Sequence, residues 1–110
     1  MAKKLYQPVT PSSGNVFADL NLPDAAELHT KARLGAAICR IVEQNRLSQA
    51  EVAAMLGITQ PKVSALLHYK LEGYSVERLM RFLAALGHDV EIVVRAKPRS
   101  RSARIAVNAA

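Results

Sequence analysis

The sequence predicts a mainly α fold: a bundle of four to five helices with one C-terminal β-strand that pairs across a dimer. Three observations predict it. Apolar residues recur at helical spacing from residue 24 to 86. Capping residues precede these runs, and Gly57 and Gly87 follow two of them. The period switches to two only in "HDVEIVVRA", residues 88–96. At 110 residues the chain suits one small domain. Half the residues are hydrophobic but only 5% are aromatic, so the core must be built from Leu, Ile, Val and Ala.

Residues 1–15 carry Pro8, Pro11, Ser12, Ser13, Gly14 and Asn15, which is linker chemistry, and are expected to be flexible. The domain is placed at residues 16–95. It opens with "NVFADLNLP", a short turn whose Val16, Phe17, Leu20 and Leu22 are expected to dock on the bundle. The first helix is expected from Asp24, with Glu27 completing a capping box, to near Asn45. Leu34, Ile38, Ile41 and Val42 give it one apolar face. Gly35 lowers its intrinsic stability slightly.

The second helix has a capping box, Ser48 with Glu51, and a hydrophobic staple between Leu47 and Val52. Val52, Ala53 and Leu56 face inward, Met55 fits a core stripe, and Gly57 ends the helix. Thr59 caps the third helix, where Pro61 is tolerated in the first turn. Val63, Leu66 and Leu67 form its inward face. "HYKLEGY" is a loop. Ser75 caps the fourth helix, in which Leu79, Met80, Leu83 and Leu86 repeat at helical spacing before Gly87.

In the predicted strand, Val90, Ile92 and Val94 share one side. A lone strand needs a partner, and no second strand pattern is present. Pairing with the same strand of another copy is therefore expected, so these three residues are assigned to dimerisation. Residues 96–110, with Pro98 and alternating Arg and Ser, are expected to form a basic disordered tail.

Net charge is +6, but it is unevenly placed. Eight basic and nine acidic residues between Leu5 and Val94 leave that span at −1. The excess comes from Lys3, Lys4 and the five basic residues Arg95, Lys97, Arg99, Arg101 and Arg104. A polyanionic partner fits this balance. The single cysteine, Cys39, reads as a small buried hydrophobe in a reducing compartment. No apolar run approaches the ~20 residues of a membrane span, and no secretory h-region follows the first lysines. A cytoplasmic protein with no membrane role is expected. No nucleophile–base pair, metal-ligand cluster or phosphate loop is visible, so neither an enzyme nor a cofactor is expected.

"LSQAEVAAMLGITQPKVSALL" carries the functional signal. Two helices crossing at a tight turn need a small residue at the crossing (Ala53), glycine at the turn (Gly57) and apolar residues locking both helices down. Gln49, Ala53, Gly57, Val63 and Leu66 occupy the first, fifth, ninth, fifteenth and eighteenth positions. Five matches at fixed spacing, with caps at both helix starts, indicate a helix-turn-helix.

The stretch resembles the Cro/repressor-type (XRE) helix-turn-helix family, which has a lambda-repressor-like fold. The flanks "SSGNVFADLNLPDAAE" and "SVERLMRFLAALGHDVEIVVR" are similar to HigA-like antitoxins of that family. The resemblance runs from about Ser12 to Arg95. It implies a cytoplasmic, bacterial, dimeric repressor of double-stranded operator DNA that also serves as antitoxin and autorepressor of a type II toxin–antitoxin pair. A stand-alone regulator and a protein-interaction module without a DNA role are the alternatives.

The resemblance also implies that the third helix enters the major groove while Gln49 holds a phosphate. With Val63, Leu66 and Leu67 inward, the outward face centres on Pro61, Ala65 and His68, flanked by Lys62 and Ser64. Gln60, next to the cap Thr59, leads at the N-terminal end and can pair bidentately with adenine. Pro61 and Ala65 suit thymine methyls, and Lys62, Ser64, His68 and Lys70 suit phosphates. Pro61 departs from the polar residue often found second in such helices. Solvated surface is the competing reading for each of these side chains.

Overall fold

The computed structural model describes residues 23–109. Four α-helices follow in order: α1 (Pro23–Gln44), α2 (Gln49–Leu56), α3 (Gln60–Leu67) and α4 (Val76–Ala85). The expected flexible segment and the docking turn "NVFADLNLP" lie outside the described residues. α1 lies chiefly against α4, and α2 against α3; α1–α3 and α2–α4 contacts close the bundle.

The core follows the predicted apolar faces. Leu34, Ile38, Ile41 and Val42 of α1 meet Val52, Val63, Leu66, Leu79, Leu83 and Leu86 in one buried cluster. Phe82 and Leu71 join it, one from α4 and one from the loop after α3. The Phe82 ring packs edge-on against Tyr74 at 5.4 Å. Ile38, Val52, Val63, Leu66 and Leu79 are enclosed almost completely, each worth roughly 1.5–3 kcal/mol over exposure. Met80 is partly buried against the cluster. Met55, read as part of a core stripe, is instead 43% exposed, because Val52, Ala53 and Leu56 already fill the inward arc of α2.

All four helices close through a left-handed residue that turns the chain back on the last turn: Arg46, Gly57, Tyr69 and Gly87. The bonds are those of tight C-caps, such as Leu47 N to Val42 O, Lys70 N to Ala65 O and His88 N to Leu83 O. Only two of the four closures use glycine. Gly35 has a packing reason that its helix propensity hides. A Cβ there would meet the Leu71 side chain at 3.3 Å and the Tyr69 ring at 3.5 Å. The glycine lets the loop after α3 approach α1.

The C-terminal strand is absent within this single chain. No strand is present among the described residues, and 88–98 run exposed and without regular structure. The expected strand does not form in this single chain, because an isolated segment has no neighbour to satisfy its backbone N–H and C=O groups. Residues 96–109 do not stay clear of the bundle. Val107 packs against the core, and its carbonyl accepts from Arg33 Nη2 at 3.2 Å.

Candidate nucleic-acid interface

The turn between α2 and α3 is built from local chemistry. Ser48 Oγ accepts from Glu51 N at 3.1 Å while Glu51 Oε1 accepts from Ser48 N at 2.8 Å, completing the capping box. Leu47, just before the cap, is partly buried against the core cluster that contains Val52. At the other end Gly57 takes φ 71°, and its N–H and that of Ile58 both donate to Ala53 O. A Cβ on Gly57 would meet nothing within 4 Å. Glycine is required there by backbone conformation rather than by space. Thr59 then caps α3, its hydroxyl accepting from Lys62 N at 3.4 Å.

Val63 and Leu66 are locked into the core, and Leu67 is partly buried. That fixes the rotation of α3. Gln60, Pro61, Lys62 and His68 are left exposed; Ser64 and Ala65 are partly exposed between them. Gln49 is exposed as the first residue of α2, and Lys70 is exposed in the loop beyond α3. The predicted residues are thus all at least partly exposed, with two differences in role. The Thr59 hydroxyl is occupied in capping. His68 ends α3, with its Nδ1 2.7 Å from Ser64 O.

Cys39 and Tyr69 meet where α1 faces the end of α3. Cys39 is only partly buried; its thiol donates to Leu67 O at 3.6 Å. Desolvation pushes the thiol upward, a hydrogen bond from Tyr69 partly offsets this, and the Glu43 carboxylate adds to it. Desolvation likewise raises the Tyr69 hydroxyl, with Cys39 and Glu43 adding to the rise. Cys39 is thus a poor nucleophile, and it ties α1 to the last turn of α3.

One positioning element escaped the sequence reading. Arg78 of α4 lies 5.6 Å from the Tyr74 ring centre and 5.4 Å from that of Phe82. This stacking fixes the loop that follows α3 to the start of α4. The i, i+4 spacing of Tyr74, Arg78 and Phe82 was its only signal.

Among the described residues, no group of three or more His, Cys, Asp or Glu could hold a metal ion. No described helix is long and apolar enough to cross a membrane.

A family profile described as "Helix-turn-helix domain" matches residues 16–95. Among solved structures, the chain is similar to a protein assigned as an XRE family transcriptional regulator. The two are 64% identical and superpose with a TM-score of 0.76, covering 80% of this chain and 100% of the other. The search of curated proteins found no match.

Proposed function

The chain belongs to the XRE-type helix-turn-helix family of DNA-binding transcription regulators, and on that premise we propose that it is a homodimeric repressor of a specific operator. In this reading α3 lies in the major groove. The observation that carries it is the fixed rotation of α3: Val63 and Leu66 are buried, while Gln60, Pro61, Lys62 and His68 stand outward. Without those two anchors the helix could present any face.

Gln60, at the N-terminal end of α3, offers an amide that pairs with adenine N6 and N7. Pro61 and Ala65 lie against thymine methyls. Lys62, Ser64, His68 and Lys70 hold phosphates, and so does Gln49 at the start of α2. The span from Leu5 to Val94 is nearly neutral, so the helical core of one copy has little electrostatic affinity for DNA by itself. Two copies joined through Val90, Ile92 and Val94 would set two α3 helices about 34 Å apart, one helical turn of DNA. The basic residues after Val94 would add sequence-blind, salt-dependent affinity.

The test is a mobility shift with the protein's own upstream region. Wild type should give a salt-sensitive, sequence-dependent shift. Gln60→Ala should lose about 1–3 kcal/mol of discrimination at one base pair per half-site while remaining folded. Equal binding of every operator variant by wild type and Gln60→Ala would remove Gln60 from base reading.

The flanks' similarity to HigA-like antitoxins supports a finer reading: antitoxin and autorepressor of a type II pair, with the N-terminal segment and α1 as the candidate surfaces for a protein toxin partner. Expression of the neighbouring gene alone and with this one decides it. Growth arrest relieved by co-expression supports an antitoxin; no arrest points to a stand-alone regulator.

A further inference from the structure

Residues 89–97 carry an ordered charge pattern that the folded monomer does not use. On one side of the two-residue period stand Val90, Ile92, Val94 and Ala96. The other side reads Asp89, Glu91, Val93, Arg95 and Lys97. It is acidic in its first half and basic in its second, with a valine between. All of these residues are exposed, and Val93 is 59% exposed although it is apolar. The ion pairs among the described residues are Lys31 with Glu27 and Arg81 with Glu77, both within helices. Asp89, Glu91, Arg95 and Lys97 therefore have no opposite charge at pairing distance among the described residues. The Lys97 ammonium donates to the carbonyl of Pro98, its neighbour in the chain, at 3.5 Å.

Resting on the reading of this segment as the dimer contact, we infer that two copies pair residues 89–97 as antiparallel strands about a two-fold axis at Val93, with Glu91 opposite the partner's Arg95 and Asp89 opposite the partner's Lys97. Directly opposite residues of an antiparallel pair lie on the same face. A two-fold axis makes each contact occur twice. Four opposite-charge pairs then fill the charged face, on either side of Val93 and its own copy. On the other face Val90 meets the partner's Ala96, and Ile92 meets the partner's Val94. The charge order thus sets the direction and register of the contact and selects a second copy of this chain as its partner.

Competing arrangements fail on the same charges. Parallel strands in register set each carboxylate beside its own copy and each cation beside its own. An antiparallel axis between two residues places charged side chains opposite apolar ones. An axis at Glu91 brings two carboxylates face to face, which is destabilising. An axis at Ile92 leaves Glu91 facing Val93 and Lys97 facing Gly87. An axis at Val94 puts Pro98, which has no N–H to donate, opposite Val90 inside the ladder. The axis at Val93 pairs every charge of the segment and leaves Pro98 just past the ladder's end. Arg99, Arg101 and Arg104 also lie beyond it.

Sedimentation equilibrium of the full chain at low ionic strength tests the register through charge reversals outside the helical core. Wild type should dimerise. Glu91→Lys and Arg95→Glu should each weaken dimerisation by about tenfold or more, because two attractive pairs per dimer become two repulsive ones. An equimolar mixture of these two variants should associate at the wild-type level, since every 91–95 contact between them joins opposite charges. A chain carrying both reversals should associate with itself at that level for the same reason. Circular dichroism checks that each variant is folded. If either single reversal leaves association unchanged, or mixing fails to restore it, the Val93 register is wrong, while dissociation of the dimer by Ile92→Ser would keep the strand contact standing. If wild type is monomeric at every concentration, the register falls together with the dimer reading.

Discussion

The α2–α3 unit and the segment after Gly87 make opposite use of apolar residues. In the unit, Val52, Val63 and Leu66 are enclosed and most of what remains outside is polar. After Gly87, Ile92 is 74% and Val94 75% exposed, and the backbone has no ladder. The difference is one of backbone accounting. A helix satisfies its own N–H and C=O groups, so its apolar stripe can be buried by the same chain. A strand satisfies neither without a neighbour. The first region is complete in one copy. The second carries a pattern that a single chain cannot use, which is why it supports the proposed dimer.

The largest effects should therefore fall on the unit. Leu66→Ala removes a side chain that anchors α3 and should cost about 2–5 kcal/mol in urea unfolding. The same kind of change after Gly87 should do little to the folded monomer. Ile92→Ser should move monomer stability by less than about 0.5 kcal/mol, yet shift sedimentation toward monomer and weaken operator binding. If Ile92→Ser leaves the association state unchanged, the strand pairing is wrong. A middle-sized effect belongs to the turn. Gly57→Ala should cost about 1–2 kcal/mol, all of it from the left-handed φ, since its Cβ meets nothing. Gly73→Ala is the control: it too has open space and lacks the positive φ, so thermal melting should show a clearly smaller loss.

The same contrast explains what could be read from sequence. The helix starts at Ser48, Thr59 and Ser75, the glycine turn and the inward faces were legible because each depends on residues within a few positions. What was not legible depends on distant partners. Nothing local marks Leu71 as core, since its burial requires the loop to fold onto α1 over Gly35. Arg46 and Tyr69 close helices in the left-handed region, where sequence rules expect glycine or asparagine. Tyr69 tolerates the strain because its ring lies on α1 beside Gly35 and Cys39. Val107 seats on the bundle through a contact 74 positions away in the chain. The surface of α3 was legible as a set of residues, but the contact of His68 Nδ1 with Ser64 O needed coordinates.

The smallest effect tests how tightly Tyr69 and Cys39 bind the end of α3 to α1. Both groups hold their protons more firmly folded than unfolded, burial being the first cause. The folded state therefore binds more protons once the unfolded chain begins to lose them. Stability linked to these groups is intact below the ordinary thiol value of 9.0 and is lost as pH rises above it. The ring of Tyr69 is half exposed, so solvent screening keeps its share small. Urea midpoints from about pH 8 to about pH 10.5 should fall, and Cys39→Ala should fall less steeply over the same range. Loss of lysine charge acts on both proteins alike and cancels in the comparison. Parallel curves for the two would mean that the thiol is as free in the folded chain as in the unfolded one, and that α3 is held to α1 by apolar contact alone.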